Sequence, residues 1–582
     1  MILQALVEFY ESMAARGEMP PFGWMQVPVS YILDIDRDGN LIRANHTMSE
    51  VTMGKKTVFK PVPRMCPAQV SRTVGVDSNF LCDHSGYILG VDSKGKPKRT
   101  KECFDCCREL HHAILNGVDS DVARAILAFF DRWDPEAAKK HPALKDRFDD
   151  VISGVNLLFR CDGCLASDDP AVAEAWDRYY GGSGEDVGYC LVTGQYGAVE
   201  RTHPQIRGVV GAQSSGAALV SFNAPAFTSY GKEQNLNAPT GKYASFAYTS
   251  ALNYLIKDFD RRVRIGETTV LFWMNGDSTA GEQLVGFAFD DDPPANYTKD
   301  ELWEKIKALA EGRPVELDGT RLDPERPFYI LGLSPNAARL SVRFFYRNTF
   351  GAFLKNVWTH QERLRIVRPS YDSYETIPVW KLLDETVNQK SKDKSPSPHM
   401  AGDVLRAILT DTPYPATLLN GVNLRIRAER EITRGRAAII KAYYLKNTHP
   451  AVPKEVLTMS LNRDSNNVPY CLGRLFAVLE KLQNDANGAS TVKDHYFVSA
   501  AATPASIFTI LLRLSKSHLK KLKGSDKDRL APYYEKMIRE IMDKFGEALP
   551  ARLTLAEQGS FQLGYYHQNI ALYQKKEDQE NV

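Results

Sequence analysis

The stretch 187–253 reads VGYCLVTGQYGAVERTHPQIRGVVGAQSSGAALVSFNAPAFTSYGKEQNLNAPTGKYASFAYTSALN. Gly211–Gly216 form a glycine- and serine-rich turn, the apolar run Ala217–Phe222 predicts a short strand, and a polar, amide-rich loop follows. Glycine lets the backbone approach a ligand closely, because it has no Cβ atom to clash. Asn and Gln each offer a donor and an acceptor, the pair that reads the edge of a base. The stretch therefore suits contact with a nucleic acid.

The same stretch has a second interpretation. A β-hairpin with a long surface loop would also be rich in Gly, Ser and Asn, because these residues form tight turns and cap them with their own amides. From the residues alone both interpretations stay open.

The composition is that of an ordinary globular protein. At 582 residues the chain is too long for one hydrophobic core, so two or more domains are expected. The formal net charge of +2 excludes a uniformly basic nucleic-acid coat but allows local basic patches. The nine cysteines are expected to be reduced thiols of a cytoplasmic protein. No apolar run reaches the length of a membrane span, and Ile2–Ala15 predicts a helix rather than a signal peptide.

Hydrophobic periodicity predicts a mixture of strands and helices in the first two thirds of the chain. The predicted elements are a hairpin at Val27–Ala44, a helix at Lys101–Leu115, a buried strand at Thr268–Met274 and two strands within Pro327–Phe345. In the last strand the period of two places Arg343, Phe345 and Arg347 on one face. Such a face suits single-stranded nucleic acid or a subunit contact, and ion-paired arginines are the alternative.

After Gln389–Met400, a segment with the low hydrophobicity of a linker, the helical period dominates. Helices are predicted at Val404–Leu409, Leu418–Arg430, Thr433–Leu445, Tyr470–Gln483, Pro504–Leu522, Arg529–Phe545 and Leu555–Gln568. The predicted fold class is α+β. A mixed β-rich N-terminal domain occupies 1–388, a linker 389–400, a helical connector 401–458 and a C-terminal antiparallel helical bundle 459–582.

Cysteine and histidine spacing raises a competing interpretation, a zinc-dependent nucleic-acid-processing enzyme. Cys161 and Cys164 form a CxxC pair on a plausible turn. A tetrahedral site needs four ligands, and Cys103, Cys106 and Cys107 fall on the apolar stripe of a predicted helix instead. The sequence has no Walker loop, GxSxG elbow, HExxH motif or kinase set. These observations favour a protein without catalytic activity, and neither a metal nor another cofactor is expected.

Five stretches resemble a known family, the Csd-type large subunit of the type I-C CRISPR surveillance complex (Cascade). They are HPQIRGVVGAQSSGAALVSFNAPAFTSYGKEQNLNAP, YILGLSPNAARLSVRFF, GRLFAVLEKLQ, SAAATPASIF and EQGSFQLGYYHQ. They lie in the family's order, and the resemblance covers essentially the whole chain.

The resemblance implies a non-catalytic subunit of a crRNA-guided complex. Such subunits read a short motif beside the target in duplex DNA, start strand opening, hold the displaced strand and dock the helicase-nuclease, while the guide reads the rest of the sequence. The implied partners are crRNA, the target duplex and its displaced strand, the backbone and crRNA-processing subunits, and a small subunit. In the family the C-terminal part is also made separately as that small subunit, and Met459 is the predicted start.

The residue chemistry then gives candidate contacts within this framework. The candidates for motif reading are Gly211, Gln213, Ser214, Ser215, Gly216, Asn223, Asn235 and Asn237. The candidates for duplex phosphates are Lys55, Lys56, Lys96, Lys98 and Arg99, and further candidates for phosphate contact are Lys232 and Lys242. The candidates for the displaced strand are Arg425, Arg427, Arg430, Arg434, Arg436, Lys516, Lys520, Lys521 and Lys523.

Overall fold

The computed structural model describes residues 1–53, 56–70, 72, 75–182, 184, 186–276, 278–372, 374–392 and 394–573. These residues form two compact units, one comprising 1–208 and 213–254 and the other comprising 209–212 and 255–582. Every helix within them is too short or too polar to cross a bilayer.

The first unit mixes short strands with helices. Its elements are α1 (Ile2–Ala15), β1 (Trp24–Val29), β2 (Tyr31–Ile35), β3 (Leu41–His46), β4 (Met48–Met53), β5 (Lys56–Pro67), β6 (Cys82–His84), α2 (Ser85–Ile88), α3 (Pro97–Leu115), α4 (Asp121–Arg132), α5 (Phe148–Val151), β7 (Asn156–Cys161), β8 (Cys164–Leu165), α6 (Pro170–Gly182), β9 (Val187–Tyr189), β10 (Tyr196–Ala198) and α7 (Lys242–Lys257). The last three residues of α7 belong to the second unit.

Two sheets build the interior of the first unit. One is antiparallel with the order β1-β5-β4, and the other has the order β3-β2-β7-β6 with β8 paired to β7. β2 and β7 run parallel, and the other pairs in this sheet are antiparallel. Phe129, Phe130 and Phe159 meet edge to face in the core between α4 and β7. The Ser120 hydroxyl accepts hydrogen bonds from Val122 N and Ala123 N, which caps α4.

The second unit begins with strands and continues with helices. Its elements are β11 (Arg262–Ile265), β12 (Thr268–Met274), α8 (Ala280–Asp290), α9 (Lys299–Ala310), β13 (Val315–Leu317), β14 (Thr320–Leu322), β15 (Pro327–Asn336), β16 (Arg339–Thr349), α10 (Phe350–Leu364), α11 (Val379–Asp384), α12 (Pro398–Thr410), α13 (Ala416–Glu429), α14 (Arg434–Lys446), α15 (Val468–Asn487), α16 (Val492–Ala502), α17 (Pro504–Lys523), α18 (Leu530–Met542) and α19 (Leu555–Tyr573).

One antiparallel sheet, β11-β12-β15-β16, anchors this unit. Every residue of β12 is buried, as expected for a run of β-branched and aromatic residues. Val270, Phe272 and Met274 alternate on the face that joins the main hydrophobic core. That core continues from the sheet through the helices as far as Ile570.

The helices α15 and α19 approach each other at two glycines. A Cβ atom on Gly473 would lie 2.0 Å from the Phe561 carbonyl oxygen, and one on Gly564 would lie 2.1 Å from the Tyr470 carbonyl oxygen. Only glycine fits at such a backbone contact. Tyr470 also places its hydroxyl 2.9 Å from His567 Nδ1, so a buried polar contact fixes the register of the two helices.

The predicted fold class is confirmed, since the strands concentrate in the first 349 residues and the described chain from Phe350 onward is helical. All the helices predicted after residue 400 are present, and the helix that periodicity did not predict is α16. The predicted linker lies within the second unit, and its described residues up to Ser397 are outside any helix. The division at 388, 400 and 458 stays a prediction.

Two local predictions are wrong. Ala217–Phe222 forms no strand and contributes an isolated bridge between Ala217 and Ile206. In β16 a bulge follows Val342, because Leu333 pairs with Val342 while Gly332 pairs with Phe344. The extra residue, Arg343, breaks the alternation and does not share a face with Phe345 and Arg347.

Candidate nucleic-acid interface

The stretch that suggested nucleic-acid contact is one long excursion of the chain. It leaves after β10 and returns at α7, and an antiparallel bridge between Val199 and Gly241 closes its base. Glu200 N donates to the Thr240 carbonyl oxygen at 3.0 Å beside this bridge. A second bridge, between Ile206 and Ala217, closes a smaller loop inside it. The excursion is therefore organised by backbone pairing despite having almost no regular strand.

Side chains of α7 hold the start of the excursion in place. Asn253 Oδ1 accepts from Arg207 N at 2.9 Å, and Asn253 Nδ2 donates to the Gln205 carbonyl oxygen at 3.1 Å. His203 is buried with Nδ1 2.6 Å from the Tyr248 hydroxyl. Burial lowers the pKa of His203 to about 4, so the ring is neutral at pH 7. Sequence reasoning missed these anchors, since nothing local marks their partners.

The glycine- and serine-rich segment consists of two consecutive turns. Ala212 N donates to the Val209 carbonyl oxygen at 3.1 Å, and Gly216 N donates to the Gln213 carbonyl oxygen at 3.0 Å. Gly211 has φ 81° and Gly216 has φ 111°, both in the region that favours glycine. A Cβ on Gly216 would also lie 2.7 Å from Gln205 Cβ. The glycines therefore fix the turn's shape.

Between these two glycines the chain presents three polar side chains. Gln213, Ser214 and Ser215 are all exposed. Within the described part of the chain, none of the three side chains has a hydrogen-bond partner. Their donors and acceptors are thus available to a ligand, on a backbone that is already ordered.

A tight turn in the middle of the amide-rich loop carries an aromatic residue. Lys232 N donates to the Ser229 carbonyl oxygen at 3.0 Å, and Tyr230 (φ 50°) and Gly231 (φ 70°) occupy the two central positions. Two successive positive φ angles are typical of a type I′ turn. Tyr230 is 99% exposed, although a bulky residue at positive φ is strained. The Tyr-Gly dipeptide between Ser229 and Lys232 is the sequence signal that could have identified this tip.

The loop's amides differ in what they do. Asn237 Oδ1 accepts from Ser229 N at 2.9 Å, and its Nδ2 donates to the carbonyl oxygens of Lys232 and Gln234 at 2.8 and 2.9 Å. Asn235 is buried, and Asn223 is exposed. Asn237 therefore closes the loop and Asn235 lies inside it, as the second interpretation of the sequence expected, whereas Asn223 is accessible to a ligand.

Lys242 faces the interior of the first unit rather than a ligand. Its Nζ donates to the Tyr180 carbonyl oxygen at 2.8 Å and lies 3.8 Å from the centre of the Tyr180 ring. Burial lowers the pKa of Lys242 and raises the pKa of Glu200, and the attraction between the two charges partly opposes both shifts. Its interior contacts argue against the predicted phosphate contact, whereas Lys232 is exposed at the tip.

Comparison with known protein families shows which family the chain belongs to. Residues 6–573 match the family of CRISPR-associated proteins named Cas_Csd1. This chain belongs to the Cas_Csd1 family. The resemblance of the five stretches is thereby confirmed at the level of the family. No curated protein matches the chain.

In this Cas_Csd1 protein the predicted basic loops of the first unit are only partly described. Lys55 lies outside the described residues, and Lys56 is described only as the first residue of β5. Lys96, Lys98 and Arg99 are exposed at the start of α3, whose first turn contains no acidic residue. Arg99 Nη2 donates to the Gly75 carbonyl oxygen at 2.7 Å. Several cations at the positive end of a helix dipole favour an approaching anion.

The arginines of the second unit divide into buried and accessible groups. Arg434 is buried and bonds to Asp372 and to the carbonyl oxygens of Tyr374 and Glu375. Arg436 is buried between Glu385 and Glu429. These two guanidinium groups stabilise the unit, and their burial argues against the predicted contacts with the displaced DNA strand.

The accessible arginines retain partners of their own. Arg425 lies 3.7 Å from Glu429, Arg427 donates to Gln558 Oε1 at 3.1 Å, and Arg430 lies 3.9 Å from Asp494. Arg427 and Arg430 are exposed, so their contacts are open to exchange with phosphate.

The lysines of α17 form an exposed row at its C-terminal end. Lys521 Nζ donates to Asn487 Oδ1 at 2.9 Å, and Lys523 Nζ lies 2.7 Å from Glu535 Oε1. Lys516 and Lys520 are exposed, and neither has a side-chain partner among the described residues. Lys516 and Lys520 are consequently the more available cations of this row.

The cysteines give the zinc alternative no complete ligand set. Cys161 and Cys164 pair across the tight turn that joins β7 to β8, with Cys161 buried. In the described ranges no three His, Cys, Asp or Glu side chains gather as a metal site would require. Burial raises the pKa of both thiols, which disfavours the thiolate form that binds metal.

Proposed function

We propose that this protein is the non-catalytic large subunit of a type I-C crRNA-guided surveillance complex, and that it reads a short motif in duplex DNA beside the target. The observation that carries the proposal is the ordered turn at Gly211–Gly216, which presents Gln213, Ser214 and Ser215 without internal partners. An amide and two hydroxyls can match donors and acceptors on base edges. Since the backbone is already fixed, little ordering entropy opposes binding.

The exposed tip at Tyr230 supports a role in strand opening. An aromatic ring on a fixed turn can insert beside a base step and stack on a base that has lost its partner. Lys232 follows at the end of the same turn and can contact an adjacent phosphate. The excursion then combines motif reading and strand separation on one segment of the chain.

Contacts with the phosphate backbone of the DNA complete the proposal. Lys96 and Lys98 at the start of α3 hold the duplex by its phosphates, together with Arg99, Lys55 and Lys56. Lys516 and Lys520, which have no side-chain partner among the described residues, hold the displaced strand. Arg425, Arg427, Arg430 and Lys521 assist them by exchanging their internal contacts for phosphate. These contacts add affinity and salt dependence but no sequence information.

The proposed partners follow from membership of a surveillance complex. They are crRNA, the backbone and crRNA-processing subunits, a small subunit made from Met459 onward, and a helicase-nuclease that supplies the cleavage activity. The complex is proposed to act in the cytoplasm, where its nucleic-acid partners are found.

A binding series on duplexes with and without the flanking motif tests this function. The assembled complex should bind a matched target with the motif far more tightly than the same target without it, and it should not cleave DNA alone. Lys96→Ala/Lys98→Ala should weaken binding to all duplexes evenly and flatten the salt slope by roughly 0.9 per lost contact. The exposed pair Lys139→Ala/Lys140→Ala is a charge-matched control. Motif-independent binding by the wild type would contradict the proposal.

A further inference from the structure

A half-open cavity of about 320 Å³ lies in the second unit between the edge strand β16 and the start of α12. The cavity is lined by Arg343, Phe344, Phe345, Tyr346, Pro398, His399, Gly402, Asp403 and Arg406. Its volume lies at the lower end of small-ligand sites, which span roughly 300–1,000 Å³. Arg343 and Phe345 belong to the strand for which the sequence suggested single-stranded nucleic acid or a subunit contact, and the other lining residues were assigned to no nucleic-acid site above.

The β-bulge explains why an arginine faces this cavity. Alternation along β15 places Ser334 on the core face of the sheet, with Ile330. Arg343, the extra residue of the bulge, donates from Nε to Ser334 Oγ at 3.0 Å. A regular strand would have sent Arg343 to the opposite face, with Phe345 and Arg347. Bulges frequently re-aim a side chain in this way beside a binding site.

Two guanidinium groups therefore converge on one cavity. Arg406 is exposed on α12, one turn after Asp403. In the part of the chain that the structure describes, Arg406 has no ion-pair partner, and the terminal nitrogens of Arg343 have none either. Two planar, permanently charged groups with free donors suit a phosphate.

The wall of the cavity supplies a surface for a base. The Phe344 and Tyr346 rings are stacked, with centroids 5.5 Å apart and an angle of 16° between their planes. Tyr346 is half-buried, so part of its ring is accessible from the cavity. Stacking on such a ring does not depend on base identity, because every base has a π-face. Asp403 can accept from an exocyclic amino group.

We infer that this cavity binds one nucleotide of single-stranded DNA, with its phosphate between Arg343 and Arg406 and its base against Tyr346. A paired base cannot enter, since its Watson–Crick edge is covered by its partner. The exposed Lys392 and Lys394 precede α12 and provide further phosphate contacts along the strand. This inference rests on the proposed function and places part of the displaced strand at the edge of the sheet.

Anisotropy of a labelled single-stranded thymidine oligomer on the full chain provides the test. Arg343→Ala/Arg406→Ala should weaken binding more than tenfold and flatten the salt slope by roughly 0.7 for each lost contact. Tyr346→Leu should weaken binding about tenfold with the salt slope unchanged, since stacking carries no charge. Arg321→Ala, an exposed arginine on β14 outside the cavity, is the matched control and should bind as the wild type does.

A photocrosslink in the wild-type chain makes the test independent of any variant's folding. An oligomer carrying 5-iododeoxyuridine should crosslink to the peptide that contains Tyr346. Crosslinks elsewhere only, or unchanged affinity in the double-arginine variant, would overturn the inference. A free nucleoside monophosphate that competes as strongly as the oligomer would also overturn it, because the cavity would then be a nucleotide site. Failed motif discrimination on duplexes would instead overturn the proposed function and leave these results standing.

Discussion

Tyr230 indicates a binding role because a large aromatic side chain is fully exposed there on a strained backbone. Burial of a large aromatic ring stabilises the folded state, yet the Tyr230 ring is 99% exposed and the residue's backbone adopts φ 50°. Three hydrogen bonds between the Asn237 side chain and the backbone of the surrounding loop keep the turn in place, one accepted by Oδ1 and two donated by Nδ2. Strain of this kind persists where the surrounding structure enforces it, which is common at ligand contacts.

Tyr230→Ala should reduce strand opening beside the motif, because a stacked base contributes roughly 1–3 kcal/mol. Tyr230→Phe should retain opening, since the ring and not the hydroxyl acts. Fluorescence of 2-aminopurine at the first target position of a bound duplex measures the opening. Equal opening by the alanine and wild-type proteins would contradict this role.

Three buried histidines share one arrangement, in which a ring nitrogen contacts a tyrosine hydroxyl. His203 pairs with Tyr248, His360 pairs with Tyr414 at 2.6 Å, and His567 contacts Tyr470. Burial lowers the pKa of His203 to about 4 and that of His360 to about 3. Because the unfolded chain binds a proton near pH 6.5 and the folded chain does not, each histidine lowers stability as pH falls from about 6.5 toward its folded pKa.

His360→Gln should therefore lose less stability than the wild type between pH 7 and pH 5. Between pH 7 and pH 5 the wild type should lose roughly 2 kcal/mol more of its unfolding free energy than the variant, because His360 takes up a proton in this range only in the unfolded chain. Burial raises the pKa of Asp290 to about 6, so protonation of Asp290 adds stability as the pH falls. This contribution is the same in both proteins and cancels in the comparison. Melting temperatures across this pH range measure the effect. A parallel fall in both proteins would contradict it, and exposed His399→Gln is the control.

Residue types singled out the segment but did not indicate the role of each residue within it. Gln213 and Asn237 have the same functional group, yet the first is exposed without a partner and the second closes its own loop. The difference arises from the loop 229–237, whose geometry depends on positive φ at Tyr230 and Gln234. Single-sequence reasoning has no signal for which amides the loop will use internally.

At the scale of elements, long periodic helices were predictable and the excursion was not. Helices such as α12, α15 and α17 carry apolar stripes of three or more turns, which indicate their buried faces before any tertiary contact. The run Ala217–Phe222 is apolar enough for a strand, but Ala217 makes one bridge only. The bulge at Arg343 has no sequence signature, and it decides which face of β16 carries an arginine.

Gly564→Ala should destabilise the second unit by about 3 kcal/mol or more, beyond ordinary overpacking, because the clash is with backbone. The new Cβ would lie 2.1 Å from the Tyr470 carbonyl oxygen, and neither helix can shift without disturbing the shared core. Chemical unfolding measures the loss. Gly402→Ala, in α12 with no atom within 4 Å of its Cβ position, should keep or raise stability and is the control. A well-tolerated Gly564→Ala would contradict the packing described.

At the scale of the molecule, the C-terminal helices form a set that begins after Met459, the predicted start of a separate small subunit. α15–α19 all lie after Met459, and the Phe476, Phe497, Phe561 and Tyr565 rings pack among themselves. Met459 itself lies in an irregular segment and is 42% exposed. Expression of residues 459–582 as a separate small subunit stays a prediction.

Met459→Leu should remove a short product that co-purifies with the complex, because leucine preserves the side-chain volume but cannot start translation efficiently. A C-terminal affinity tag and an immunoblot detect both products. Met48→Leu, another partly exposed methionine, should leave the short product in place. Persistence of the short product in the Met459 variant would contradict the internal start.

The central claim is that the Gly211–Gly216 turn reads the motif, and one comparison tests it most directly. Equilibrium binding of the assembled complex is measured on target duplexes that differ only in the flanking motif, for the wild type, Gln213→Ala and the exposed-glutamine control Gln195→Ala. Wild type and control should discriminate between motifs, whereas Gln213→Ala should bind all of them with similar affinity. Undiminished discrimination by Gln213→Ala would contradict it and place the reader elsewhere on the protein.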